Sequence, residues 1–221
     1  MCNFDCIYCE CGWNADGRGD RRLPSAAEVR RALEDKLASC MLDGTPIDSI
    51  TFSGDGEPTL NPEFPRIVDD TLRLRDIYYP EAKVSVLSNA TMAGRKEVFD
   101  ALRKVDNPIL KIDAPTDAAA AVINRPAAGY SVEAVVRNLE AFKGEFILQT
   151  MFLRSPAFDS SAPEVLRPWM DIVRRLRPRG IMAYTIDRPT PQEGIGKFTA
   201  EEMRSLLKPL IDEGYKIQIK A

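Results

Sequence analysis

Short apolar runs alternate with amphipathic stretches along almost the whole chain, and that alternation leaves few folds open. Residues 47–54 (IDSITFSG), 83–89 (KVSVLSN), 108–114 (PILKIDA), 145–154 (EFILQTMFLR), 180–188 (GIMAYTIDR) and 215–220 (YKIQIK) each read as a strand. Helical patterns fill the intervals. Val29, Leu33, Leu37, Cys40 and Met41 share one face behind a Ser25–Glu28 capping box. Phe64, Ile67, Val68, Thr71 and Leu72 follow Asn61 as N-cap and Pro62 at the first helical position. Further helices are expected over 95–105, over 131–142 behind Ser131, over 163–177 with Pro168 near its start, and from Thr199 and Glu202 to Ile211. The strands are short and nearly continuously apolar, the pattern of strands buried on both faces of a parallel sheet. Strand–helix alternation predicts a parallel α/β fold, barrel-like or doubly wound, and no linker divides residues 1–221, so one domain is expected. One element is out of place. The alternation opens on a loop and a helix, so the strand that should feed that loop is missing: either the native start lies upstream of Met1, or the chain is a fragment or an unusual variant.

That opening loop, MCNFDCIYCECGW, holds four of the five cysteines. Cys2, Cys6 and Cys9 stand at C-x3-C-x2-C and Cys11 follows at once; Cys40 lies apart, as a small buried hydrophobe on the first helix. An odd and crowded set does not suit a disulfide scaffold and points to a metal, a cluster or redox chemistry. The chain has no histidine, which excludes Cys/His zinc sites and Ser-His-Asp or Cys-His catalysis. Three thiolates are one fewer than closed zinc sites and simple ferredoxin clusters use. On a cubane they would leave one iron open to a substrate-like molecule. A net charge of −3 gives no electrostatic case for a polyanionic partner. No apolar run approaches the ~20 residues of a membrane span, so a cytoplasmic protein is expected.

A second motif, FSGDGEPTLNP (52–62), follows the first predicted strand. Glycines at 54 and 56 let backbone approach a ligand closely, and Glu57 or nearby carbonyls can accept hydrogen bonds from an ammonium. With Tyr8 before the third cysteine, CNFDCIYC resembles the signature of the radical S-adenosylmethionine (SAM) enzymes. The longer stretches CNFDCIYCECG, SGDGEPTL, LKIDAPT, INRPAAGYS and YTIDRPTP are similar to a subgroup of iron–sulfur oxidoreductases related to the tRNA wyosine-synthesis enzymes. The resemblance implies a partial (β/α)6 TIM-type barrel, with SAM across the strand C-terminal ends. By its count, strand one is the element missing from this chain. It also implies a [4Fe-4S] cluster on Cys2, Cys6 and Cys9, whose open iron chelates the amino and carboxylate groups of SAM, with Tyr8 near the adenine. Gly54, Asp55, Gly56 and Glu57 look like the family's Gly-Gly-Glu motif, which meets the methionyl amine, although two adjacent glycines are not present here.

Polar residues at the other strand ends become candidates for cofactor contact: Ser88, Asn89, Lys111 and Asp113, with Tyr184, Thr185 and Asp187 at a later strand end. Lys111 and Asp113 share one strand face. Buried charge asks for a partner, so the pair reads either as SAM or substrate contacts or as an internal salt bridge. Gln149 and Thr150 read as structural. The four arginines of RRLRPRG (174–180) read as a solvated helix end rather than a nucleic-acid contact. The expected activity is reductive cleavage of SAM to a 5′-deoxyadenosyl radical that takes hydrogen from a substrate, with a lean towards RNA or small-molecule modification. The expected partner is a one-electron donor such as a flavodoxin or ferredoxin. The alternatives are activation of a glycyl-radical partner, and a non-catalytic iron–sulfur or zinc-thiolate module acting through a partner.

Overall fold

The structure, a computed structural model, describes residues 1–16 and 22–221. In chain order its strands are β1 (Ser49–Phe52), β2 (Lys83–Ser88), β3 (Asn107–Lys111), β4 (Ile147–Met151), the short β5 (Arg154–Ser155) and β6 (Phe158–Asp159), β7 (Gly180–Tyr184) and β8 (Ile217–Lys220). Six of them form one sheet in the order β1-β2-β3-β4-β7-β8, every neighbouring pair parallel. β5 and β6 make a small antiparallel pair beyond β4. The helices are α1 (Ala26–Leu42), α2 (Phe64–Tyr78), α3 (Lys96–Leu102), α4 (Asp117–Ile123), α5 (Val132–Glu140), α6 (Pro163–Leu176) and α7 (Ala200–Asp212). This is the parallel α/β architecture of a partial barrel, as expected.

Register separates the two faces. Leu110, Leu148, Ile181 and Ile217 form one row across the sheet, beside Phe52, Val86 and Pro108. Val86, Leu110, Leu148 and Ile181 belong to the same buried cluster as Phe64 and Val68 of α2, Leu102 of α3, Leu139 of α5, Trp169 of α6 and Leu207 of α7. That face is the helix-covered core. The opposite face carries Thr51, Ser85 and Asn107 in one row, Lys111, Gln149, Met182 and Gln218 in the next, and Met151, Tyr184 and Lys220 in the third. Burial therefore alternates in β1, β7 and β8, and Thr51 and Gln218 are exposed. The expectation of strands buried on both faces holds for the central β2, β3 and β4 and fails for β1, β7 and β8, which alternate. The core helices cover one face, and among the described residues the sheet ends at β1 and β8 without closing, so its other face is exposed at the edge strands and buried at its centre.

Local signals decided the helix ends unevenly. The capping boxes of Ser25–Glu28 and Thr199–Glu202 form as expected. Asn61 does not cap α2. Its side chain accepts from Glu63 N at 2.9 Å in a turn, and the helix begins at Phe64 with Pro65 in its first turn. Ser131 stands before α5, but Asp117 takes the first amide instead, accepting from Val132 N at 2.6 Å. α4 was not expected; Thr116 caps it by accepting from Ala119 N at 3.2 Å. Pro168 lies inside α6 without ending it.

Asp106 ties three element ends together below the sheet. It accepts from Val84 N at 2.9 Å and from Arg75 Nη1 at 3.0 Å, joining β2, α2 and the start of β3. Partial burial disfavours its anion, but the Val84 amide and the Arg75 guanidinium outweigh that and hold the carboxyl below its ordinary value. Its contribution is therefore complete above the unfolded value near ~3.9 and is lost as pH falls through the lower folded value. Asp106→Ala should lower stability by about 1–3 kcal/mol in urea unfolding at neutral pH, because it strands a backbone amide. The difference from the parent chain should shrink below pH 3.

Candidate active site at the carboxyl edge of the sheet

The cysteine loop lies against the segment that follows α4. Asp5 N donates to Asn124 O at 3.0 Å, Ile7 N to Ile123 O at 2.9 Å and Ala127 N to Asn3 O at 2.8 Å, while Phe4 pairs with Pro126. Ile7 is fully buried and anchors the loop in the core. Asn14 ties down its beginning: it accepts from Cys2 N at 3.3 Å and donates to Cys2 O at 3.0 Å and Phe4 O at 3.1 Å. Cys2, Cys6, Cys9 and Cys11 are half-buried free thiols, and Cys40 is buried as expected. Two sulfurs already receive N–H donors. Phe4 N reaches Cys2 Sγ at 3.4 Å, Asn89 Nδ2 reaches it at 3.9 Å, and Asn124 Nδ2 reaches Cys6 Sγ at 3.4 Å. Burial pushes the Cys6 thiol up to about 11, with the Lys111 ammonium acting the other way.

The glycine-rich turn touches the start of this loop. Gly54 and Gly56 adopt φ of 126° and 151°. A Cβ on Gly56 would stand 2.1 Å from Met1 O, the carbonyl that accepts from Glu57 N at 3.0 Å. The Met1 ammonium donates to Asp55 O at 3.2 Å. Gly54, Asp55 and Gly56 are exposed, whereas Glu57 is only 4% exposed. Its carboxylate accepts from Thr59 N at 3.0 Å, Thr59 Oγ1, Ser88 Oγ at 2.8 Å and Asn89 N at 2.7 Å. Burial raises its pKa although every one of these bonds favours the anion. Glu57 is turned inward and fully occupied, so the turn offers a ligand its backbone carbonyls and Asp55. Asn89 continues the chain of bonds to the cysteine loop, with Nδ2 donating to Asn3 Oδ1 at 2.7 Å.

A second buried carboxylate organises the ends of β3 and β4. Asp113 accepts from the Tyr8 hydroxyl, from Asn124 Nδ2 at 2.7 Å and from Met151 N at 2.8 Å. Lys111 Nζ lies 3.8 Å from it, so the internal salt bridge exists. The same ammonium donates to Tyr184 OH at 2.8 Å and sits 4.7 Å and 5.3 Å from the Tyr8 and Tyr184 ring centroids. Burial opposes its charge, but Asp113, Tyr184 and Cys6 outweigh burial and raise its pKa. Lys111 thus stands charged at the strand ends, its side chain 16% exposed.

Thr150 and Thr185 are structural. Thr150 donates to Ile112 O at 2.8 Å and accepts from Trp169 Nε1 at 3.2 Å. Thr185 bridges Phe152 O and Phe198 N. Asp187 is exposed. Arg174 pairs with Glu213 and Asp171, Arg175 with Glu133 and Glu140, and Arg179 bonds Asp106 O and Asn107, so most of the arginine run is engaged within the chain. Sequence reasoning did not single out Asn3, Asn14 or Asn124. Their side-chain amides carry no periodic signal, and only the Asn-Arg-Pro sequence after α4 hinted at a sharp turn. It also missed the 186–197 connection, which crosses the cysteine loop through Gln192 N to Ile7 O at 3.3 Å and an Arg188–Glu10 ion pair.

Among the described residues, no three Cys, Asp or Glu side chains form a ready-made metal-binding group as placed. The donor chemistry nevertheless suits an iron–sulfur cluster. The loop offers four half-buried thiols, and amide donors already reach the sulfurs of Cys2 and Cys6.

An open parallel β/α sheet with its polar groups gathered where the strands end belongs to the class of β/α-barrel proteins that build sites at that edge. The chain belongs to the Radical SAM superfamily, whose profile matches residues 1–154. It is 27% identical over 212 residues to a UPF0026 protein of Methanocaldococcus jannaschii, covering 94% of this chain and 63% of that one. It is 28% identical over 217 residues to a UPF0026 protein of Synechocystis, covering 90% and 72%. The chain thus spans less than two thirds of the length of the Methanocaldococcus relative. Among solved structures, a radical SAM methyltransferase from Sphaerobacter thermophilus matches with a TM-score of 0.73 at 14% identity, over 99% of this chain and 62% of that one. Streptococcus suis SuiB bound to S-adenosylmethionine matches with a TM-score of 0.71 at 14% identity, over 100% and 48%. At such identity the likeness is one of fold.

The two glycines separate backbone strain from contact. Gly54→Ala meets nothing within 4 Å and should cost only its strained φ, whereas Gly56→Ala adds a collision with the Met1 carbonyl. Urea unfolding should show both variants losing more than about 1 kcal/mol, the Gly56 variant clearly more than the Gly54 variant.

Proposed function

We propose that the chain is a radical SAM enzyme in which Cys2, Cys6 and Cys9 hold a [4Fe-4S] cluster and the strand ends around them bind SAM. The observation that carries this reading is the cysteine loop itself, laid along the Ile123–Ala127 segment with amide donors on two of its sulfurs. When bound and reduced, such a cluster supplies the electron that splits SAM into methionine and a 5′-deoxyadenosyl radical, which takes hydrogen from a substrate carbon.

This chain's residues have narrower tasks. The carbonyls of Gly54 and Gly56, with Asp55, receive the methionyl ammonium at an exposed turn that needs glycine for close approach. Glu57 fixes that turn to Ser88 and Asn89, and so to the Cys2 end of the loop. Lys111 supplies positive charge for an anionic group of SAM or substrate, while Asp113 and Tyr8 keep Lys111 and the loop in place. The apolar packing of Phe4 and Ile7 shields the loop from water. Cys2 is held by the Asn14 side chain and by the Phe4 amide, which supports a ligand role for a residue next to the first of the sequence.

The electron arrives from a small redox protein of the flavodoxin or ferredoxin type, and five free thiols suit a reducing, cytoplasmic compartment. The substrate lies among RNA and small molecules open to modification. Cys2→Ala, Cys6→Ala and Cys9→Ala should each abolish the brown absorbance of the anaerobically reconstituted protein and 5′-deoxyadenosine release with dithionite. Cys11→Ala should keep both. Release of 5′-deoxyadenosine by any of the first three would overturn the ligand assignment, and uptake of zinc alone by the parent chain would favour the non-catalytic thiolate module.

A further inference from the structure

We infer that Asn124 is the positioning residue of the Cys6 ligand: its side-chain amide, pinned by Asp113 and by the end of α4, donates to the Cys6 sulfur and draws electron density from it. The inference rests on the proposed cluster role of Cys6.

Asn124 is 2% exposed and fixed from both directions along the backbone. Its N–H closes α4 on Ala120 O at 2.8 Å, and its carbonyl accepts from Asp5 N at 3.0 Å. Ile123 O accepts from Ile7 N at 2.9 Å, so the residues on either side of Cys6 hang from two consecutive carbonyls of this segment. The side chain is equally constrained. Nδ2 lies 2.7 Å from Asp113 Oδ2, 2.9 Å from Tyr8 OH and 3.4 Å from Cys6 Sγ. An amide nitrogen carries two protons. Asp113, the charged acceptor, takes one; the other is shared between the Tyr8 oxygen and the sulfur. A neutral thiol is a weak acceptor and a metal-bound thiolate a strong one, so loading the cluster moves that second proton towards sulfur.

The backbone just beyond is costly to hold. Arg125 adopts φ of 45°, a left-handed conformation that L side chains resist, immediately before Pro126, which narrows the choice further. It persists because its neighbours hold it: the guanidinium lies 5.1 Å from the Trp13 ring centroid and donates to Gln192 Oε1 at 2.8 Å, while Asp5 N reaches its carbonyl at 3.2 Å. Strain tolerated here keeps Asn124 aimed at Cys6. Cys2 differs, since its nearest N–H donor is the Phe4 backbone, which no side-chain change removes.

Donors to cluster sulfurs stabilise the reduced, more negative state. Asn124→Leu, of similar size without donors, is expected to take up the cluster anaerobically, to show a more negative midpoint potential in an EPR-monitored redox titration, and to lose iron to a chelator about tenfold faster than the parent. Asn124→Ser, too short to reach Cys6, is expected to shift the potential in the same direction and serves if the leucine variant does not fold. A potential and iron-loss rate equal to the parent's in the folded variants overturns the inference. So does a change confined to the unfolding temperature of the cluster-free chain, which marks Asn124 as structural only. Failure of the parent chain itself to take up a cluster instead overturns the proposed function.

Discussion

Two carboxylates buried at the strand ends govern the arrangement of everything near them. An ionised group taken out of water needs compensating donors on nearly every lone pair, or it protonates or moves. Glu57 finds its donors on Thr59, Ser88 and Asn89; Asp113 finds them on Tyr8, Asn124 and Met151, with Lys111 nearby. Each carboxylate thereby joins segments that are distant in sequence. Glu57 joins the turn after β1 to the end of β2, and Asp113 joins the cysteine loop, α4 and β4. Both carboxylates spend their lone pairs on these internal donors, and their effect is to hold the segments together.

This explains why the candidate site was legible in outline and misread in detail. The order of strands and helices followed from short apolar runs and from capping residues, which act over a few positions. The thiols, the glycines, Glu57, Lys111 and Asp113 stood out because their residue types are costly or unusual at strand ends. Their partners did not. Asn3, Asn14, Asn89 and Asn124 act through amides whose value depends on three-dimensional proximity, as with Asn89 to Asn3 across 86 positions. Only Asn89, next to a strand end, was caught. Residue types left Glu57 and its neighbouring carbonyls equally open as acceptors, because they do not show the donors that surround the carboxylate.

The concave face was misread for a related reason. Ser85, Asn107, Gln149 and Met182 alternate with larger apolar residues in strands of only five or six residues, too short for a period-two signal to separate from a continuous run. Asn107 and Met182 are half-buried, while Ser85 and Gln149 are buried even on the face the core helices leave uncovered. An antiparallel sheet would show the same alternation for a solvent-facing side; here a parallel sheet shows it because the curve of the barrel stops short of closing.

The cysteine loop contains no regular secondary structure long enough to support itself, and a loop with backbone groups near the interior must find partners for them elsewhere. It takes them from a second irregular segment, Ile123–Ala127, through bonds at Asn3, Asp5 and Ile7. Two irregular strips can fix one another only if one is already rigid. α4 supplies the rigidity on one side, and the left-handed Arg125 with Pro126 supplies it on the other. The order of dependence runs from α4 to the strip, from the strip to the loop, and from the loop to the sulfurs. A change in α4 far from any thiol should therefore disturb the sulfurs more than a change of equal cost on α1, which touches none of these bonds.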